Sequence, residues 1–179
     1  MMQSKAWMII SLVITCAVAA LALSWVYGAT KPTIENQRIE STRSALIAVM
    51  PAADSFAPII PDSLWYAMDS DGSKLGIVLR SGERGYGGPV PVLVGLDLGG
   101  KIIGIKVASG AEGLKETPGL GQKAVEEWFW KQFLGADSTV ALRIDGGAVD
   151  AISGATITSR AVAKGISGGI RRYAEHLKP

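Results

Sequence analysis

Three glycine-rich loops hold the residues best placed to do chemistry. They are Gly85-Tyr86-Gly87-Gly88-Pro89, Glu116-Thr117-Pro118-Gly119-Leu120-Gly121, and Ser153-Gly154-Ala155-Thr156-Ile157-Thr158-Ser159. Loops this poor in side chains let a flat ligand lie against the backbone, and their N–H groups can bind anionic or carbonyl oxygens. The third loop comes just before a helical stretch. A phosphate there would meet unpaired N–H groups and the positive end of a helix dipole. The same residues also read as ordinary structure, with Ser153, Thr158 and Ser159 as helix N-cap candidates and the glycines as common turns. Lys115 and Lys123 flank the second loop, either as charges that stabilise an anionic ligand or as solvated surface lysines.

The rest of the composition narrows the chemistry. The chain has 179 residues with one cysteine, Cys16, and one histidine, His176. No iron–sulfur cluster, zinc site or internal disulfide can be built from those alone. There is no G-x-G-x-x-G after a strand and no Walker lysine, which argues against the common nucleotide folds. A net charge of +2 gives no electrostatic case for nucleic acid. With 48% hydrophobic residues and 22 glycines, the chain is neither disordered nor a disulfide scaffold.

The elements that must position the loops follow from hydrophobic patterning. Mean hydropathy is +0.28, and the excess sits in the uncharged run from Ala6 to Val26. Its length suits a bilayer-crossing helix and exceeds the apolar region of a cleaved signal peptide. Trp7 and Trp25, about 27 Å apart along a helix, form interfacial belts with Tyr27, and Cys16 is a mid-span packing residue. Lys5 precedes the span while Lys31, Arg38 and Arg43 follow it. That count places the large domain in the cytoplasm, but long domains translocate largely regardless of charge, so orientation stays open.

Beyond the anchor, Pro32 and Thr33 open a stretch that reads as a short helix ending at Pro51. Two hairpins follow, Leu64–Met68 with Lys74–Arg80 around Asp69–Gly72, and Val90–Leu98 with Lys101–Ala108 around Gly99-Gly100. Residues Gln122–Leu134 read as one helix with Val125, Trp128, Phe129 and Phe133 on a single side, and Val140–Ile144 as a strand. Val162, Ile166, Ile170, Tyr173 and Leu177 mark the apolar stripe of a closing helix. The expected organisation is an anchor at 1–29, a linking helix and connector at 30–62, and an α+β domain at 63–179 with an antiparallel sheet and flanking helices.

Asp150-Ala-Ile-Ser-Gly-Ala-Thr156, together with the loops at 116–121 and 85–89, resembles the FMN-binding domain of the Rnf complex G subunit. The C subunit of the sodium-pumping NADH:quinone oxidoreductase is a close relative, and the resemblance spans the anchor, the three loops in order and the closing helix. It implies an FMN joined to Thr156 by a phosphoester, attached by a flavin transferase that uses FAD, with Thr158 as a second candidate hydroxyl. Ser153, Gly154 and Ala155 are expected at the phosphate and ribityl end, and Thr117, Gly119, Leu120 and Gly121 along the isoalloxazine ring, with Glu116 of the same loop also among the cofactor-binding residues. Tyr86, Gly87 and Gly88 are expected nearby, Tyr86 either against the ring or as an ordinary loop tyrosine. Asp150 reads as part of the transferase's recognition motif or as a turn residue. No catalytic base and no metal are expected in this chain.

The function implied is electron carriage within a membrane-bound, ion-translocating ferredoxin:NAD oxidoreductase, as a redox subunit with no complete reaction of its own. The alternatives are the homologous subunit of the sodium-pumping enzyme and a non-redox, membrane-anchored binding module; the compact length favours the first reading. Partners implied are the other membrane subunits, including a second flavin subunit and iron–sulfur subunits, with the transferase during maturation. The resemblance places the flavin domain on the extracytoplasmic side of the cytoplasmic membrane.

Overall fold

The computed structural model describes the backbone of residues 2–177 and the side chains of residues 7–177. Met1, Lys178 and Pro179, at the outer ends of the expected anchor and flavin domain, lie outside the described residues, as does the side chain of Lys5. The chain divides into two units, Met1–Arg43 and Ser44–Pro179.

The first unit is helical. Helix α1 spans Met2–Val49 and carries Pro32 inside it. Proline has no N–H for the carbonyl four residues back and crowds that turn, so a separate second helix was the simpler expectation. The helix instead runs on without interruption and stops just short of Pro51. Among the described residues it is the one helix long and apolar enough to cross a membrane. Trp7, Trp25 and Tyr27 are all exposed on it, as is Cys16.

The second unit is an antiparallel meander in the order β1-β2-β3-β4-β5. The strands are β1 (Ser55–Ile60), β2 (Leu64–Met68), β3 (Lys74–Arg84), β4 (Pro89–Asp97) and β5 (Ile102–Val107). Both expected hairpins are present, and β3 also pairs along its length with β4. That pairing puts the first glycine loop at a tight turn, closed by Gly85 N–H donating to the Gly88 carbonyl at 2.7 Å. Strand β1 was not anticipated, because Pro58 interrupts its pattern. It lies at the sheet edge, where a missing N–H is tolerated.

Alternation along the strands gives the sheet two buried faces. Leu64, Ile77, Leu79, Val92, Val94 and Leu96 join the core shared with Val162, Ile166 and Ile170 of helix α3 (Thr156–Arg172). Trp65, Ala67, Val78 and Leu93 join a second core with Leu46, Val49 and Met50. Gly95 and Gly104, register partners on β4 and β5, leave room there for Val49. A Cβ on Gly95 would come 2.9 Å from the Val49 carbonyl oxygen.

Two expected elements differ. Residues 122–134 do not form one helix. A 3₁₀ turn at Gly121–Val125 gives way to extended backbone at Glu126, then to helix α2 (Glu127–Trp130) and a further 3₁₀ turn at Lys131–Phe133. The break sends Ala124, Phe129 and Phe133 into the core and leaves Val125 and Trp128 outside. Residues 140–144 make a single parallel bridge, Leu142 to Val149, and a 3₁₀ turn at Arg143–Asp145 rather than a strand. The outer edge of β5 is met at its first residue by Gly135 and Ala136, which exchange hydrogen bonds with Ile102. Helix α3 keeps the expected buried stripe but ends at Arg172, and Leu177 falls in a 3₁₀ turn.

Candidate functional site

The three loops meet at the N-terminus of α3. They enclose a cleft of ≈ 510 Å³ lined by Tyr86, Glu116, Thr117, Leu120, Gly121, Gly154, Ala155, Thr156, Ile157 and Thr158. This volume falls in the range of about 300–1,000 Å³ usual for small-molecule sites.

Glu116 holds the loops together. Its side chain is buried, with 5% of the residue exposed. Oε2 accepts a hydrogen bond from Thr158 Oγ1 at 2.7 Å, and Oε1 accepts one from the Gly87 N–H at 3.1 Å. One carboxyl therefore ties the second loop to the first loop and to α3. The neighbouring glycines make space for it: a Cβ on Gly121 would lie 2.5 Å from Glu116 Oε2 and 2.8 Å from Thr158 Oγ1, and one on Gly85 would strike Glu116 Oε1. Gln122 Nε2 donates to the Glu116 carbonyl at 3.1 Å, fixing the backbone on the other side. Gly119 (φ 76°) and Gly154 (φ 76°) adopt left-handed backbone that other residues resist.

Helix α3 opens into this cleft without a side-chain cap. None of the serines and threonines that could have capped it does so. Ser159 Oγ accepts from the Ile152 N–H at 2.9 Å and donates to the Ala155 carbonyl at 3.0 Å, Thr158 serves Glu116, and Ser153 is exposed. The N–H groups of Thr156, Ile157 and Thr158 lie in the first turn, where no intrahelical acceptor exists. The half-buried Thr156 is the first residue of the helix and part of the cleft wall.

Of the residues singled out from sequence, Thr156, Thr158, Gly154, Ala155, Glu116, Thr117, Leu120, Gly121 and Tyr86 line the cleft. Ser153, Gly119, Gly87 and Gly88 belong to the same loops but not to its wall. Lys115 and Lys123 are exposed and also outside the wall. Ile157, half exposed at the rim, was missed, although its place between two candidate hydroxyls was a usable signal. The Glu116–Thr158 contact joins residues 42 apart and had no signature in sequence. Asp150 is exposed: Arg143 Nε lies 2.8 Å from its carboxylate, and its N–H donates to Gln132 Oε1 at 2.8 Å.

Two carboxyls outside the cleft wall are held down by their partners. Hydrogen bonds from the Lys106 ammonium and from Ser109 hold Glu112 down at about 2. Arg160 holds Asp145 below its usual range.

The FMN-binding domain family matches residues 85–170, a span containing all three loops. The chain is 32% identical over 166 residues to the G subunit of the ion-translocating oxidoreductase complex of Methanosarcina acetivorans, covering 86% of each chain. It is 32% identical over 187 residues to the G subunit of the Na(+)-translocating ferredoxin:NAD(+) oxidoreductase complex of Acetobacterium woodii, covering 90% of this chain and 88% of that one. Among solved structures, NqrC of Shewanella oneidensis superposes with a TM-score of 0.51 at 18% identity, covering 72% of this chain and 73% of that one. The C subunit of the Na(+)-translocating NADH-quinone reductase from Parabacteroides distasonis gives 0.50 at 23% identity, over 65% and 62%. These two are likenesses of fold.

Proposed function

Because this chain belongs to the G-subunit family of ion-translocating oxidoreductase complexes and carries an FMN-binding domain, we propose that it is the membrane-anchored, FMN-bearing electron carrier of such a complex. In this reading the flavin phosphate is esterified to Thr156. The relatives' names supply ferredoxin and NAD as the outer donor and acceptor of the whole complex. This chain is one link between them, beside other subunits of the complex. The flavin domain stands on the extracytoplasmic side, where a covalent bond removes the dissociation equilibrium and so retains the cofactor.

The observation that carries the reading is Thr156 itself, a wall residue of the cleft at the uncapped start of α3. The first-turn N–H groups and the positive end of the helix dipole suit the dianion of a phosphate monoester or the monoanion of a diester. Tyr86, Leu120 and Ile157 are exposed apolar residues at the rim and give an aromatic ring system surfaces to lie against. The glycines of all three loops let it approach the backbone. FMN, once bound, supplies the electron-carrying chemistry, and the protein anchors, orients and tunes it. The chain needs no base to activate the Thr156 hydroxyl, because attachment falls to a separate flavin transferase consuming FAD. Asp150, exposed and held by Arg143 and Gln132 six residues before Thr156, is where that enzyme would read the motif.

The test is to co-express the full chain with a flavin transferase, denature it and look for flavin fluorescence in the gel band. Fluorescence that survives denaturation supports the covalent carrier. A wild-type band without fluorescence would contradict it.

A further inference from the structure

Of the ten residues lining the cleft, Glu116 alone has a charged side chain. From this we propose, building on the assignment of the cleft to FMN, that Glu116 sets the redox poise of the flavin. A fixed carboxylate in the wall disfavours negative charge on the ring. The flavin is therefore harder to reduce, and it takes up two protons with its two electrons rather than one.

The carboxylate cannot turn away to water. It is buried, both of its oxygens accept hydrogen bonds from within the protein, and Gly85 and Gly121 are spaced to admit it. A carboxyl that receives a donor on each oxygen is working purely as an acceptor, as an ionised carboxylate does. A charge held in such a setting is poorly screened and acts strongly on its neighbours. The positive end of α3 offsets part of it. No lysine or arginine stands in the wall to offset the rest, since Lys115 and Lys123, the cations nearest in sequence, are exposed outside it.

Reduction brings two electrons to the flavin from the redox donors of the complex. With two protons from water the reduced ring stays neutral, and with one it carries a negative charge. A wall whose one charged side chain is anionic penalises the second product and lowers the potential of the couple. Electrons placed on this flavin are then passed on more readily. The sign is the opposite of the one expected had Lys115 and Lys123 lined the ring.

The experiment is a spectroelectrochemical titration of the FMN-loaded full chain in detergent, with Glu116→Gln, Glu116→Ala and Asp145→Asn variants. Glutamine removes the charge and keeps a polar group that can bridge Gly87 and Thr158. Both Glu116 variants are expected to raise the reduced-to-oxidised ratio at the wild-type midpoint about tenfold, equivalent to about 30 mV for a two-electron couple. Asp145→Asn, which removes a carboxylate away from the cleft, is expected to leave it unchanged. An unchanged or lowered ratio in Glu116→Gln overturns the proposal, and so does a rise confined to Glu116→Ala, which would mark a purely structural role. The wild-type protein provides a measurement that depends on no variant folding. At fixed potential near neutral pH, two-proton uptake changes the ratio roughly a hundredfold per pH unit, and a tenfold change would contradict the proposal. If the wild-type chain takes up no flavin at all, it is the assignment of the cleft that fails, and this inference falls with it.

Discussion

Thr158 and Arg160 are two residues apart on α3, and each binds a carboxylate from a distant part of the chain. Thr158 meets Glu116 in the buried wall of the cleft. Arg160 meets Asp145 in a two-pronged pair, at 2.8 and 2.9 Å, with both side chains about a third exposed. The second contact has the better charge complementarity and the smaller consequence. Water solvates both of its partners almost as well when they are apart, so the pair adds little to stability. The Glu116 contact joins a charged group to neutral donors only, but nothing replaces those donors if they are lost. Burial, more than formal charge, decides which of the two contacts holds the domain in shape.

That contrast can be broken in order of effect. Glu116→Ala strands the Thr158 hydroxyl and the Gly87 N–H, and a loss of roughly 2–4 kcal/mol in urea unfolding is expected. Loosening of the first glycine loop, seen as faster amide exchange at residues 85–88, should accompany it. Gly121→Ala leaves every polar group in place but drives a methyl against Glu116 Oε2 and Thr158 Oγ1. It should cost about 1–3 kcal/mol, the range for overpacking a tight site. Arg160→Ala should shift the melting temperature by less than either, and a loss matching Glu116→Ala would erase the distinction between the two contacts.

The smallest effect belongs to pH. Glu112 is held at about 2 against an ordinary value of 4.5 by Lys106 and Ser109. A depressed carboxyl contributes stability that is fully present above its unfolded value and is lost as pH falls through its folded one. Wild type should therefore exceed Glu112→Gln slightly above pH 4.5, with the two curves converging as pH falls towards about 2. The pair is about a third exposed, so solvent screening keeps the difference below about 1 kcal/mol. Thermal melts well above and well below the ordinary carboxylate range are enough to measure it.

How much of this could be read from sequence depended on the range of the interactions involved. Local patterns were legible: the apolar run of the anchor, the Asp69–Gly72 and Gly99-Gly100 hairpin turns, and the stripe Val162, Ile166, Ile170. The three loops were also legible as a set. The failures arose where distant packing overrode local preference. Residues 122–134 have a helical pattern, yet burying Ala124, Phe129 and Phe133 together requires the extended break at Glu126. Residues 140–144 have strand-like side chains, but their one bridge is to Val149, while Gly135 and Ala136 hold the start of the β5 edge at Ile102. Pro32 reads as the opening of a second helix, and one continuous helix passes through it. In the cleft, Gly85 and Gly121 read from sequence as glycines that let a ligand near the backbone, with no sign of the carboxyl they make room for. Glu116 stands out in sequence by its motif, while its partner Thr158 reads there only as a second hydroxyl for the flavin and as a helix cap.

Thr156, at the uncapped start of α3, is the residue proposed to carry the flavin phosphate. Peptide mass spectrometry of the full chain after co-expression with a flavin transferase tests it most directly, on wild type, Thr156→Ala and Thr158→Ala. One FMN per chain is expected, on the peptide containing Thr156, absent in Thr156→Ala and retained in Thr158→Ala. Flavin retained in Thr156→Ala, or mapped to Thr158, would contradict it.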